Sequence, residues 1–82
     1  MLKPEIVLKM KEQFKAETMA YAAYDVIKDS IEDSYLKEAL EEIMYDEYLH
    51  AKFLRSYMME CGVYDPAQHP DCEKAFNKMI ED

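Results

Sequence analysis

Apolar residues recur at steps of three and four along two long stretches of this chain. In the first they fall at Val7, Met10, Phe14, Tyr21 and Tyr24; in the second at Leu36, Leu40, Ile43, Leu54, Tyr57 and Cys61. That spacing lines one face of an α-helix, as in the seam of a paired bundle. Pro4 suits a helix's first turn, so a first helix is predicted over about 4–30. The stretch Asp29-Ser30-Ile31-Glu32-Asp33 reads as a tight connection, with Asp33 as N-cap of a second helix over about 33–61. Gly62 stands where a left-handed C-terminal cap is wanted, and Val63 to Pro70, with two prolines, reads as an ordered loop. Asp71 is the expected cap of a last helix over about 71–81, with Phe76, Met79 and Ile80 as its apolar stripe. The expected fold is all-α: one domain, 1–82, made of an antiparallel two-helix hairpin and a short C-terminal helix.

Ionisable residues interrupt both stripes at mid-length: Glu17 in the first, Glu47 and His50 in the second. In an antiparallel hairpin, the numbers of facing residues share a constant sum. Glu17 with Glu47, Phe14 with His50, Tyr21 with Ile43, Tyr24 with Leu40 and Met10 with Leu54 all share one sum, centred on Glu32 in the turn. The stripe and the turn, read separately, therefore agree. All three polar groups then lie at one level, and His50, three residues after Glu47, projects from the same helix face. An unpaired carboxylate in a dry seam is costly and tends to protonate. A divalent cation removes the conflict, and carboxylates with imidazole suit iron, manganese or zinc.

One hairpin supplies too few ligands for two metals and cannot cover its own outer face. A two-fold pairing with a second copy answers both needs, and a homodimer or larger even-numbered oligomer is expected. The four-helix centre would then hold two lone Glu and two Glu-x-x-His pairs, the ligand set of carboxylate-bridged two-metal bundles.

Composition narrows the setting. Half of the 82 residues are hydrophobic, with one Gly and three Pro, a composition of long packed helices rather than disorder. The formal net charge of -8 opposes nucleic acid and anionic membrane as partners. No apolar run approaches ~20 residues and no leader-type apolar stretch opens the chain, so a cytoplasmic location is expected. Cys61 and Cys72 are too few for a disulfide framework and fit a reducing compartment, although a redox pair between them stays open.

Glu17, Glu47-x-x-His50 and the gap between them resemble the ferritin-like di-iron carboxylate superfamily. The nearest likeness is to rubrerythrin-like proteins and to short encapsulated ferritins, two-helix chains that complete their iron site across a dimer. The stretch Glu42-Ile43-Met44-Tyr45-Asp46-Glu47-Tyr48-Leu49-His50 is similar to the metal-binding helix of that group. The resemblance implies Glu17, Glu47 and His50 as ligands of two Fe per dimer, and Fe(II) oxidation by O2 at that centre, in some relatives inside an encapsulating protein shell. Peroxide reduction is the alternative that the rubrerythrin side implies. Tyr24 sits where these families often carry a Tyr near the metals. No Cys-x-x-Cys pair is present, so the electron delivery of full-length rubrerythrins is not implied.

Plainer readings stand beside these. Glu17, Glu47 and His50 can be a polar layer fixing register in a metal-free helical module. They can also hold zinc or manganese without catalysis. Tyr24 can be a core phenol bonded to a carboxylate. Asp46, one turn before His50, either holds the free ring nitrogen from behind or is a solvated surface residue. His69, Cys72 and Cys61 form an irregular zinc-type set, and Asp29, Glu32 and Asp33 read as a hydrophilic turn. Tyr45, Leu49 and Phe53 form a second apolar group on the second helix, covered by the third helix through Phe76 and Ile80 or by further copies of the chain.

Overall fold

A computed structural model describes residues 2–82, and they are helical apart from short connections. Helix α1 spans Pro4–Lys28, α2 spans Ser34–Glu60 and α3 spans Pro70–Glu81, with a single 3-10 turn at Pro66–Gln68. At 1.5 Å per residue the first two helices are each roughly 40 Å long. Packed side by side they give a rod of 47 × 20 × 16 Å. Among the described residues no helix is long and apolar enough to cross a membrane.

Local chemistry sets the helix ends. Helix α1 stops at Lys28, two residues short of the expected end. Ser30 N–H bonds Ile27 O and Ile31 N–H bonds Lys28 O, which tightens the chain into the turn. Asp33 caps α2 by accepting Leu36 N–H at 3.0 Å. At the other end Gly62 takes φ +71°. Its N–H bonds Met59 O, and Val63 N–H bonds Met58 O, both at 3.0 Å, the paired closure that a left-handed glycine permits. Asp71 is not the cap of α3. His69 holds that position without a side-chain bond, Pro70 occupies the first turn, and Asp71 follows where its charge meets the helix dipole. The expected loop before α3 contains the 3-10 turn, capped by Asp65 through Ala67 N–H at 3.0 Å.

On α1 the expected stripe faces inward, with Phe14 and Tyr21 buried and Met10 and Tyr24 packed against the core, whereas on α2 the core is partly rotated away from the expected seam. The core is built from Phe14, Thr18 and Tyr21 of α1, Leu40, Met44, Ala51 and Met58 of α2, Tyr64 of the loop, and Phe76 and Met79 of α3. On α2 the buried Met44, Ala51 and Met58 each lie one residue past Ile43, His50 and Tyr57, which are exposed. Leu36 and Ile43 are 56% and 47% exposed. Helix α3 explains the rotation. Phe14, expected to face His50, instead meets the Tyr64 ring edge-on at 5.6 Å and the Phe76 ring at 6.0 Å. Aromatic pairs of this kind favour edge and tilted geometries and bury large areas. Turning α2 in this way, with Phe14 of α1 against α3, seals one flank of the hairpin. Leu36, Ile43 and Tyr57 of the expected α2 seam are left exposed as an open stripe, and Ile6 and Ile27, outside the expected seam, are exposed on α1.

Polar contacts fasten α3. Arg55 reaches both oxygens of Glu73, with Nη2 to Oε1 at 2.6 Å and Nε to Oε2 at 2.8 Å. The Tyr64 hydroxyl donates to Glu73 Oε2 at 2.8 Å, and the Arg55 guanidinium lies 5.0 Å from the centre of the Phe76 ring. A forked pair of this type is stronger and more directional than a single bond. Phe76 also stacks on Tyr48 at 6.1 Å. Helix α3 therefore does not cover Tyr45, Leu49 and Phe53, which stay exposed together with Ile80.

Candidate metal centre

Glu17 follows the buried Phe14 by one turn and Glu47 follows the buried Met44 by three residues. Each carboxylate therefore stands at the margin of the core, where α1 and α2 meet beside the open stripe. His50, three residues after Glu47, stands further out on the stripe itself. The structure brings Glu17 and His50 together across the two helices. His50 Nδ1 lies 3.5 Å from Glu17 Oε1, with the Glu17 side chain 14% and the His50 side chain 63% exposed. That separation is longer than a well-formed hydrogen bond, and it is an ion pair only when the imidazole is protonated.

Glu47 is the unusual member. Its Oε2 is buried and has no hydrogen-bond partner. Burial raises its pKa above the ordinary carboxylate value, the neighbouring negative charge of Glu17 raises it further, and His50 partly offsets both. Buried polar oxygens are nearly always satisfied, so an orphan beside a second carboxylate and an imidazole calls for a ligand.

Gln13 joins the group: its Nε2 donates to Glu17 Oε1 at 2.9 Å. It was not among the expected site residues, and its sequence signal was the four-residue spacing to Glu17 on a helix. Tyr24, seven residues after Glu17, is half-buried and packs against the core. Asp46 is exposed, and the carboxylate in contact with His50 is that of Glu17.

The other candidate clusters separate. The His69 ring stacks on Tyr64 at 4.8 Å, while Cys61 and Cys72 are free thiols, one exposed and one partly buried. Asp29 and Glu32 face solvent, and Asp33 is occupied as a cap. Within one chain, no group of three or more His, Cys, Asp or Glu among the described residues is gathered as a metal-holding cluster.

No family model, curated protein or solved structure matches the chain.

The donors nevertheless suit a divalent cation. Two carboxylates and one imidazole match iron, manganese or zinc in chemistry. The unpartnered Glu47 oxygen is a vacant donor of the right kind. The open side of the set is the apolar stripe.

Proposed function

We propose that two copies of this chain meet along the open stripe and bind a pair of iron ions there, at which Fe(II) is oxidised. The observation that carries this reading is the buried, unpartnered Oε2 of Glu47 beside Glu17 and His50. Two-fold pairing would bring together two lone Glu and two Glu-x-x-His sets, completing a ferritin-like half-bundle. The sequence resemblance of Glu17 and Glu47-x-x-His50 to the ferritin-like di-iron proteins supports the same conclusion.

Surface area supports the pairing. A globular monomer of 9.7 kDa is expected to expose about 5,100 Å². The chain exposes 5966 Å². The excess is close to the ~800 Å² that each partner contributes to a standard interface. The apolar side chains that would be covered, Leu36 and Ile43 among them, flank the polar cluster.

Oxidation of two bound Fe(II) to Fe(III) would supply the two electrons that, with two protons from solvent, reduce O2 to hydrogen peroxide. The protein's part is positioning and charge. Glu17 and Glu47 offset the metals' positive charge, His50 adds a neutral nitrogen donor, and the flanking apolar side chains limit water. Tyr24, half-buried two turns along α1 from Glu17, is the candidate to hold or move a proton in this reaction.

Anaerobic addition of Fe(II) followed by air tests this. The wild-type chain should oxidise iron well above the buffer rate, while Glu17→Ala should match buffer. Equal rates for the two proteins would remove the assignment. Elemental analysis with native mass should give about one metal per chain in an even-numbered oligomer. Bound zinc or manganese without ferrous oxidation would favour a non-catalytic metal carrier instead.

A further inference from the structure

Asp33 and Asp65 accept from backbone N–H groups as caps, and other carboxylates are held by side chains. Asp25 is paired with Lys28 Nζ at 2.9 Å, and Glu73 is clamped by Arg55. In both, a full positive charge holds the carboxylate and uses up its attraction for a cation. Glu17 is held differently. Its Oε1 accepts from the neutral amide of Gln13 at 2.9 Å, with His50 at 3.5 Å. An amide fixes the direction of a carboxylate and leaves its negative charge available, so that the second oxygen stays free to bind.

We infer that Gln13 is a positioning residue for the metal centre: it orients Glu17 toward a divalent cation without neutralising it. The inference rests on the proposed metal site and adds a residue to it. Two observations support it. First, Gln13 lies seven residues from Ile6 and from Ala20, on the open flank that also carries the exposed Ile27. A lone amide in that stripe has its own chain's Glu17 as partner. Second, a free Glu side chain samples several rotamers, and a hydrogen bond from one turn earlier restricts them before any ion arrives. A Lys at position 13 would make the same contact but would repel the incoming cation.

Co(II) is the probe, because its visible spectrum reports coordination geometry independently of turnover. Gln13→Met keeps the side-chain length and removes the donor. Gln13→Lys keeps a donor and adds charge. Metal-free Gln13→Met should match wild type in far-UV circular dichroism, since position 13 is exposed. Its Co(II) affinity should fall roughly tenfold or more, with a changed visible spectrum. Gln13→Lys should bind more weakly than Gln13→Met. Wild-type affinity and spectrum in Gln13→Met, alongside loss of binding in Glu17→Ala, would overturn the role of Gln13 and leave the metal site standing. If Lys binds as tightly as wild type, the charge argument fails. No Co(II) binding by the wild-type chain would overturn the site and the positioning role together.

Discussion

Glu17 and His50 approach to 3.5 Å from opposite helices of the hairpin, while Glu47, one turn before His50, keeps a carboxylate oxygen buried without a partner. The two carboxylates thus differ in kind. One has an amide and an imidazole beside it; the other has apolar packing on one side and the open stripe on the other. Metal-free, the cluster is a weak point in the packing. With a cation bound and a second copy in place, the same groups would hold the assembly together.

That contrast gives a sign reversal. Glu47→Leu removes a buried carboxylate that lacks compensation, so the metal-free variant should melt several degrees above wild type, the shift expected for ~1 kcal/mol in a domain of this size. With Co(II) at about 100 times its dissociation constant, wild type should gain roughly 2.7 kcal/mol and overtake the variant, which should gain little. Thermal melts with and without Co(II) measure both orders. Identical responses to the metal would count against a ligand role for Glu47.

On the proposed pairing, charge placed on the open stripe should separate the copies without unfolding the chain. Ile43→Lys puts an ammonium on a side chain that is 47% exposed. Sedimentation should show monomer, circular dichroism should keep its helical amplitude, and metal binding should weaken together with assembly. A dimeric Ile43→Lys would place the contact elsewhere.

The two shifted carboxylates pull stability in opposite directions with pH. Arg55 and the Tyr64 hydroxyl hold Glu73 below its ordinary value of 4.5. Its contribution is therefore present above pH ~4.5 and is lost as pH falls through the lower folded value. Glu47 is raised, so its contribution is present below its unfolded value and is lost as pH rises through the folded one. Glu73→Gln should destabilise by about 1–3 kcal/mol at neutral pH, the scale of a lost charged hydrogen bond. The deficit should shrink below pH ~4. Urea titrations across pH 3–7 read this directly, and a deficit independent of pH would show that the Arg55 pairing contributes nothing.

Phe14 joins α1 to the loop and to α3, and only 1% of it is exposed. Phe14→Ala should cost about 3–5 kcal/mol, the usual range for a buried aromatic. Near-UV circular dichroism should lose the signal of the Phe14, Tyr64 and Phe76 cluster, because Phe14 is the ring that the other two pack against.

Local chemistry made much of this readable from the residues. Asp33 three residues before Leu36 announces a cap, Gly62 after a helical stripe announces a left-handed closure, and Glu47 with His50 three apart must share a helix face. Which face α2 turns inward was not readable. Ile43, His50 and Tyr57 form one stripe and Met44, Ala51 and Met58 another, adjacent to it and equally apolar overall. The choice between them was made by α3, a contact distant in sequence that draws Phe14 toward Tyr64 and Phe76. For the same reason, pairing Phe14 with His50 by register alone failed. Glu17 and His50 still approach each other across the hairpin, because Glu17 stands at the margin of the core and His50 beside it on the stripe.

Fastening α3 to one side through Arg55 and Glu73 gives the rod a front and a back. Copies joining front to front use the same patch twice, so the contact is exhausted after two chains. A hairpin left bare on both sides would offer each newcomer a fresh adhesive surface and could grow into a fibre. On the proposed front-to-front pairing, the short terminal helix would act as a stop on polymerisation through these two faces.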